Sequence, residues 1–471
     1  MTDKTPGWGA LLSGKDGIRS LALAGGVALH AINVYLVTTI LPSVVRDIGG
    51  LDYYAWNTTL FVIASIVGAS LASRLLRRAG PRRAYVMAAA LFGFGTLICA
   101  LAPSMPVMLG GRLVQGAGGG VLLALTYAMI RIVFPPALWP RAMGLVSGMW
   151  GVATLIGPAL GGIFADLDAW RWAFGSVIPA VILFAVLAFM VLPAENPAET
   201  PDDRPGRLPA FQLALLCVIV LTVSVASASS SLAVNLSGMV ISLLLMAALV
   251  MAERRAEVRL FPRGSLSLKT QLGLVFATMS FLSITVTSSE IFVPLFLQVL
   301  HGQSPLVAGY LAAIMGGAWS VGSIACSGAR GAAVPRIILA APLLAIAGMV
   351  GLAILVPPGS TGGFVAIASI SVALSLVGLG VGSGWPHLLT QVLQVAPADE
   401  QVLASASITT VQLFATAVGA ALAGMVANMG GLTDPGGFTG TSAASLWLFV
   451  VFAIAPVLGL FTALRVARAL R

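Results

Sequence analysis

Charge is the scarcest commodity in this chain. Asp, Glu, Lys and Arg make up 9% of its 471 residues, while 58% are hydrophobic and the mean hydropathy is +1.01. A soluble domain carries about 25% charged residues. No soluble fold hides this much apolar surface, so the composition implies a polytopic membrane protein. Acidic residues are rarer than basic ones, 16 against 25, which leaves a net charge of +9. The cations sit in short clusters between apolar runs and form no patch or stripe, so nucleic acid is excluded as a partner. Cysteine is nearly absent: Cys99, Cys217 and Cys326 all lie inside apolar runs, none at metal-ligand spacing, and they read as small buried side chains. No metal or cofactor is expected. No nucleophile–base pair or phosphate loop stands out either, which argues against an enzyme. The polar N-terminal stretch has no short apolar core followed by a cleavage site, so the first helix itself is expected to target the chain.

What is abundant is the long apolar run. A spanning helix needs roughly 20 such residues. Fourteen stretches qualify: 20–42, 55–76, 84–102, 107–131, 142–165, 172–193, 209–229, 232–252, 271–299, 305–327, 337–357, 363–391, 402–429 and 443–464. With both termini cytoplasmic, all of the 25 Lys and Arg except Arg46, Arg171 and Arg112 fall at cytoplasmic ends. The densest clusters are at 74–83 and 253–263. Positive charge gathers on the cytoplasmic side of membrane proteins, so this asymmetry sets the orientation and supports an even span count.

Only one of the 16 carboxylates, Glu290, lies well inside a span. An ionisable group at that depth is a functional-site hypothesis by default. The bland readings are a helix-packing hydrogen bond or a side chain kept wet near the outer surface. Ser283, Thr287, Glu290, Pro294 and Gln298 share one helix face. A polar stripe with a proline suits a cavity wall better than a lipid-facing surface.

Several stretches resemble the major facilitator superfamily, in particular its fourteen-helix drug:proton antiporters. "AMGLVSGMWGVATLIGPALGG" (142–162) looks like the antiporter signature of helix 5, with Gly144, Gly157, Pro158, Gly161 and Gly162 in place and Ala153 where a glycine is usual. Small residues there allow close helix packing, and the proline frees a carbonyl. "GGRLVQGAGGG" (110–120) resembles the helix 4 motif through Arg112, Gln115 and Gly116. In that family the arginine is associated with proton coupling; snorkelling to the outer surface is the alternative. "DLDAWRWAF" (166–174), "PLFLQVLHGQSPLVAGY" (294–310) and "GLGVGSGWP" (378–386) add weaker similarities in the right order.

The sequence also departs from that family. "LASRLLRRAGPRR" (71–83) is similar to the loop motif between helices 2 and 3, and Gly80, Pro81, Arg82 and Arg83 fit. Arg77 stands where an aspartate is usual and Ser73 where a glycine is, so the family's charge latch must be rebuilt or absent. In "NVYLVTTILP" (33–42) the acidic residue of the helix 1 motif is replaced by Asn33, with His30 one turn earlier as a partial substitute.

The resemblance implies an all-α major facilitator fold: a six-helix bundle over 1–193, a linker, two-helix hairpin and basic loop over 194–270, and a second six-helix bundle over 271–471. The two bundles would be related by a pseudo-two-fold axis along the membrane normal. They share no identity evident by inspection. The resemblance also implies a central cavity lined by spans 1, 2, 4, 5, 9, 10, 12 and 13. Polar and aromatic residues on those spans are His30, Asn33, Tyr35, Asn57, Tyr127, Trp150, Trp319, Trp385, His387 and Gln412. Glu290, Arg112 and His30 are the candidates for proton coupling, and Gly80, Arg82, Arg83, Gly157, Pro158, Gly161 and Gly162 for gating. Aromatic walls with few fixed charges suit lipophilic or cationic substrates. The expectation is a monomeric, proton-coupled exporter of small amphipathic molecules in a bacterial inner membrane, surrounded by lipid. A specific metabolite or siderophore exporter, an uncoupled facilitator, and a non-transporting receptor or scaffold are the alternatives.

Overall fold

The computed structural model describes residues 11–135, 138–194, 208–229 and 231–470. The N-terminal stretch 1–10 and most of the expected linker, 195–207, lie outside them. Among the described residues the chain is built of helices, with no strand. In order these are α1 (Gly14–Ile48), α2 (Trp56–Ala100), α3 (Met105–Val133), α4 (Trp139–Asp166), α5 (Trp170–Val191), α6 (Ala210–Ser227) and α7 (Leu232–Arg255). There follow α8 (Gln271–His301), α9 (Pro305–Cys326), α10 (Ala333–Leu355), α11 (Phe364–Val395), α12 (Gln401–Met429), α13 (Gly437–Phe452) and α14 (Ile454–Ala469).

Thirteen helical runs among the described residues are long and apolar enough to cross a membrane, with α13 and α14 forming one run, Gly437–Ala469. The apparent shortfall from fourteen lies in α2. Its 45 residues are interrupted at Gly80, where φ is 72° and ψ 165°, followed by Pro81. A left-handed φ favours glycine, and the proline cannot donate to the turn before it. The packing on α3 shows what the break does. Methyls built on Gly116 and Gly120 would meet the carbonyls of Phe61 and Ser65, so the first arm runs parallel to α3. Gly111, Gln115 and Gly118 face Cys99, Gly95 and Phe92, so the second arm runs antiparallel to it. The two arms therefore run in opposite directions and are spans 2 and 3. Arg82 fixes the turn: its N–H donates to Pro193 O at 3.1 Å, its Nε to Leu192 O at 3.1 Å, and its guanidinium lies 5.2 Å from the Phe189 ring centre.

The chain divides into two compact units, 1–43 with 60–208 and 44–59 with 209–471. In the first unit α1 is the hub. Gly157 and Gly161 of α4 press on Tyr35 and Leu36, Gly25 and Gly26 receive Phe184 of α5, and Thr126 of α3 donates to Leu23 O at 3.2 Å. In the second unit α8 is the hub. Thr278 bonds Thr462 of α14 at 2.7 Å, Gly419 of α12 meets Ile284, and Phe296 packs edge-on against Phe449 of α13. The α6–α7 hairpin belongs to this unit. Asn428 of α12 donates to Ser227 O at the end of α6 and to Asp52 O in the segment 44–59, at 2.9 and 3.1 Å.

Candidate functional site

Buried polarity in the first unit converges on one amide. Arg112, 2% exposed, donates from Nη1 to Gln115 Oε1 one turn further along α3, and its guanidinium lies 4.2 Å from the Phe61 ring centre. Gln115 Nε2 donates to Asn33 Oδ1 of α1 and to Thr96 Oγ1 of α2, both at 2.9 Å. Three helices are thus joined through a single side chain. An arginine at membrane depth costs several kcal/mol. A charge-assisted bond and a facing aromatic ring lower that cost, and the side chain is held inside rather than snorkelling out.

His30 lies one turn before Asn33. Its ring packs 5.2 Å from Phe61 and 6.1 Å from Trp150, and its Nδ1 occupies the space a methyl on Gly119 would take, 2.9 Å away. Glycine at 119 is what admits the imidazole. His30 Nδ1 and Asn33 Nδ2 are both buried, with no well-formed hydrogen bond among the described residues.

The second unit places Glu290 differently. The carboxyl is half-buried on α8, with no hydrogen bond or ion pair to any described residue. Pro294, four residues on, has no N–H to give, so the Glu290 carbonyl is also released from the helix ladder. Along the same face Thr287 donates back to Ser283 O at 2.9 Å, while Ser283 Oγ and Gln298 Nε2 are buried without partners among the described residues. The face is polar and under-satisfied over its whole length.

The remaining sequence candidates scatter. Trp319 of α9 and Trp385 of α11 meet with ring centres 5.1 Å apart, brought together because Gly382 lies on the Trp319 backbone. His387 joins the same seam through a 2.9 Å contact of Nε2 with Cys326 O. Tyr35 faces Gly157, Tyr127 is 37% exposed, and Gln412 is half-buried on α12. Asn57 is fully buried at the start of α2, near Tyr54 O, in the segment that belongs to the second unit. Of the gating candidates, Gly80 and Arg82 form the α2 turn, Arg83 is exposed, and Gly157, Pro158, Gly161 and the buried Gly162 lie along α4. Sequence reasoning missed Thr96 and Phe61 and kept Gln115 only as part of a motif. The i, i+3 spacing of Arg112 and Gln115 was the available signal. Among the described residues no group of three His, Cys, Asp or Glu could hold a metal ion.

Apolar spans enclosing a few buried or half-buried polar side chains are the build of a polytopic membrane protein. The family model of the Major Facilitator Superfamily matches residues 23–420. The probable multidrug-efflux transporter Rv1634 of Mycobacterium tuberculosis strain H37Rv is 38% identical over 465 residues, covering 98% of this chain and 97% of that protein. The multidrug efflux pump SdrM of Staphylococcus aureus is 25% identical over 309 residues, covering 65% of this chain and 67% of that one. The fold is similar to that of the xylose transporter XylE from E. coli in a partially occluded inward open conformation, at 16% identity, TM-score 0.57, and 95% and 97% coverage. It is also similar to a POT family transporter in complex with 5-aminolevulinic acid, at 13% identity, TM-score 0.66, and 96% coverage of both chains. The chain belongs to the Major Facilitator Superfamily, and it is a transporter rather than an enzyme.

Proposed function

We propose that this chain exports small amphipathic, drug-like molecules in exchange for protons, by alternating access, as a monomer in a bacterial inner membrane with both termini cytoplasmic. The observation that carries the proton-coupled reading is Glu290, a carboxyl on a hub helix with no hydrogen bond or ion pair to a described residue that would hold its charge. Such a group is cheaper to bury neutral than charged, so it changes protonation as its surroundings alternate between wet and dry. The names of the relatives support the substrate class. The Trp319–Trp385 pair offers ring faces of the kind that attract lipophilic cations. One charge moved through 100 mV supplies about 2.3 kcal/mol, enough for useful accumulation.

A second reading, an uncoupled facilitator or a specific metabolite exporter, is favoured by Asn33. In the first unit a neutral amide stands where a titratable carboxylate would answer Arg112 through Gln115. One experiment separates the readings. In proteoliposomes loaded with a fluorescent lipophilic cation, an imposed proton gradient should drive uphill movement by the native protein. Glu290→Gln should bind the cation but equilibrate it only. Native flux indifferent to the gradient replaces exchange with facilitation; a fully active Glu290→Gln removes Glu290 from the carrier role.

A further inference from the structure

The segment between α7 and α8 carries part of one of the two densest basic clusters in the chain, and two carboxylates beside it, Glu253 and Glu400, hold it in place. Glu253 Oε1 accepts the N–H groups of Leu260 and Phe261 at 2.5 and 2.6 Å. Glu400, at the entrance to α12, accepts the N–H of Arg263 at 2.6 Å, with its Oε1 3.2 Å from the Arg263 side chain and 3.9 Å from Arg259. Thr270 closes the far end, donating to Gly264 O at 2.6 Å and capping α8 by accepting from the Gly273 N–H. These bonds make the segment a fixed surface rather than a loose tether.

Its outward side is mixed in a specific way. Arg263 and Lys269 are exposed, and between them Leu266 and Leu268 are 36% and 56% exposed. Gln271 Nε2 donates to Val466 O at 3.4 Å, which brings the end of α14 beside Lys269 together with the exposed Arg465 and Arg468. Three exposed cations, Lys269, Arg465 and Arg468, with Arg263 already paired to Glu400, thus gather with two exposed leucines at the ends of three spans, the depth at which hydrocarbon gives way to headgroups. We propose that this surface is a binding site for anionic phospholipid. The cations take the headgroup phosphates, and the leucines enter the acyl boundary beneath them, the arrangement by which amphipathic segments hold an anionic interface. Glu253 and Glu400 are both engaged with backbone N–H groups of the segment, and the segment's own carboxylate, Glu257, is exposed near its start, at the opposite end of the sequence stretch from Lys269.

The test uses the full chain purified in detergent, with melting temperature followed against added lipid. Dioleoylphosphatidylglycerol should raise it and dioleoylphosphatidylcholine should not, and the shift should shrink in high salt. The triple variant Lys269→Gln/Arg465→Gln/Arg468→Gln should weaken the apparent affinity for phosphatidylglycerol by roughly fivefold per cation removed. Leu266→Ser/Leu268→Ser leaves every charge in place and should also weaken it. Glycerol 1-phosphate, a headgroup without acyl chains, should have no effect. An undiminished response in both variants overturns the site. An equal response to glycerol 1-phosphate makes it a phosphate site and overturns the lipid.

Discussion

The helices α3 and α11, one in each unit, carry the same glycine code in the same register and surround it with opposite chemistry. On α3, methyls at Gly116 and Gly120 would strike Phe61 O and Ser65 O at 2.2 and 2.1 Å; on α11, Gly378 and Gly382 would strike Met315 O and Trp319 O at 2.0 and 2.1 Å. The alternate glycines face the other neighbour: Gly118 meets Ala88 O and the Phe92 N, and Gly380 meets Ala341 O and the Ala345 N. Even the outlying contact repeats, Gly95 on the Gln115 N and Gly348 on the Val377 N. Both helices are therefore central staves on which two partners close to backbone distance, a device suited to lipid, where small residues rather than hydrophobicity bring helices together. The side chains between the glycines do not repeat. Arg112, Gln115 and Gly119 correspond to Leu374, Val377 and Val381, all three fully buried. Thr96, which receives the Gln115 amide, corresponds to Met349. The repeat preserved its mechanics and confined its buried cation to one copy.

The largest expected effects break the shared mechanics. Gly120→Leu and Gly382→Leu should each abolish folded protein, judged by monodisperse elution after extraction. The matched alanine variants should each lose about 1–3 kcal/mol in thermal unfolding. Gly110→Ala and Gly317→Ala, where a methyl meets nothing within 4 Å, should be neutral or gain about 0.5–1 kcal/mol. If Gly382→Ala were harmless while Gly120→Ala was not, the two staves would not be equivalent.

The register of this repeat was not legible in the sequence, because it is written in glycines whose partners are backbone atoms on other helices. "GAGGG" (116–120) and "GLGVG" (378–382) share only that spacing, and spacing alone does not say what lies opposite. The spans were legible, since twenty apolar residues mean the same thing wherever they occur, and so was the α2 turn, from Gly80–Pro81. Arg112 and Glu290 stood out because a charge inside an apolar run contrasts with its neighbours. Thr96 and Phe61 did not stand out, being ordinary residues in apolar surroundings that acquire a role only when α2 folds back along α3.

A smaller effect sharpens the chemical half of the comparison. Gln115→Leu removes an acceptor of Arg112 and the donor to Asn33 and Thr96 at once. A hydrogen bond to a buried charged group is worth about 1.5–3 kcal/mol, so the variant should lose that much. The mirror change, Val377→Gln, buries an amide opposite Met349 and should cost about 1–3 kcal/mol for the unmet polar group. Neither unit should tolerate the other's residue. Combining Val377→Gln with Met349→Thr, which supplies the partner that Thr96 provides in the first unit, should recover part of the loss. The recovery is read as the coupling energy of a double-mutant cycle.

The smallest expected change in stability carries the most functional information. In Asn33→Asp the oxygen that accepts from Gln115 is retained, and the unpartnered Nδ2 is replaced by an acceptor. Removing an orphaned donor offsets part of the cost of a new buried carboxyl, so the folded state should change by less than about 1 kcal/mol. The chemistry changes more. The first unit would then hold a titratable group joined to Arg112 through one amide, in addition to Glu290 in the second. Proton-driven flux in proteoliposomes should become more steeply dependent on the imposed gradient, while flux without a gradient stays the same. Asn33→Ala, which removes the Gln115 contact without adding a titratable group, should lower stability and leave the gradient dependence alone. If Asn33→Asp fails to steepen that dependence, the Arg112–Gln115–Asn33–Thr96 cluster is a structural tie between α1, α2 and α3. Coupling would then rest on Glu290 in the second unit.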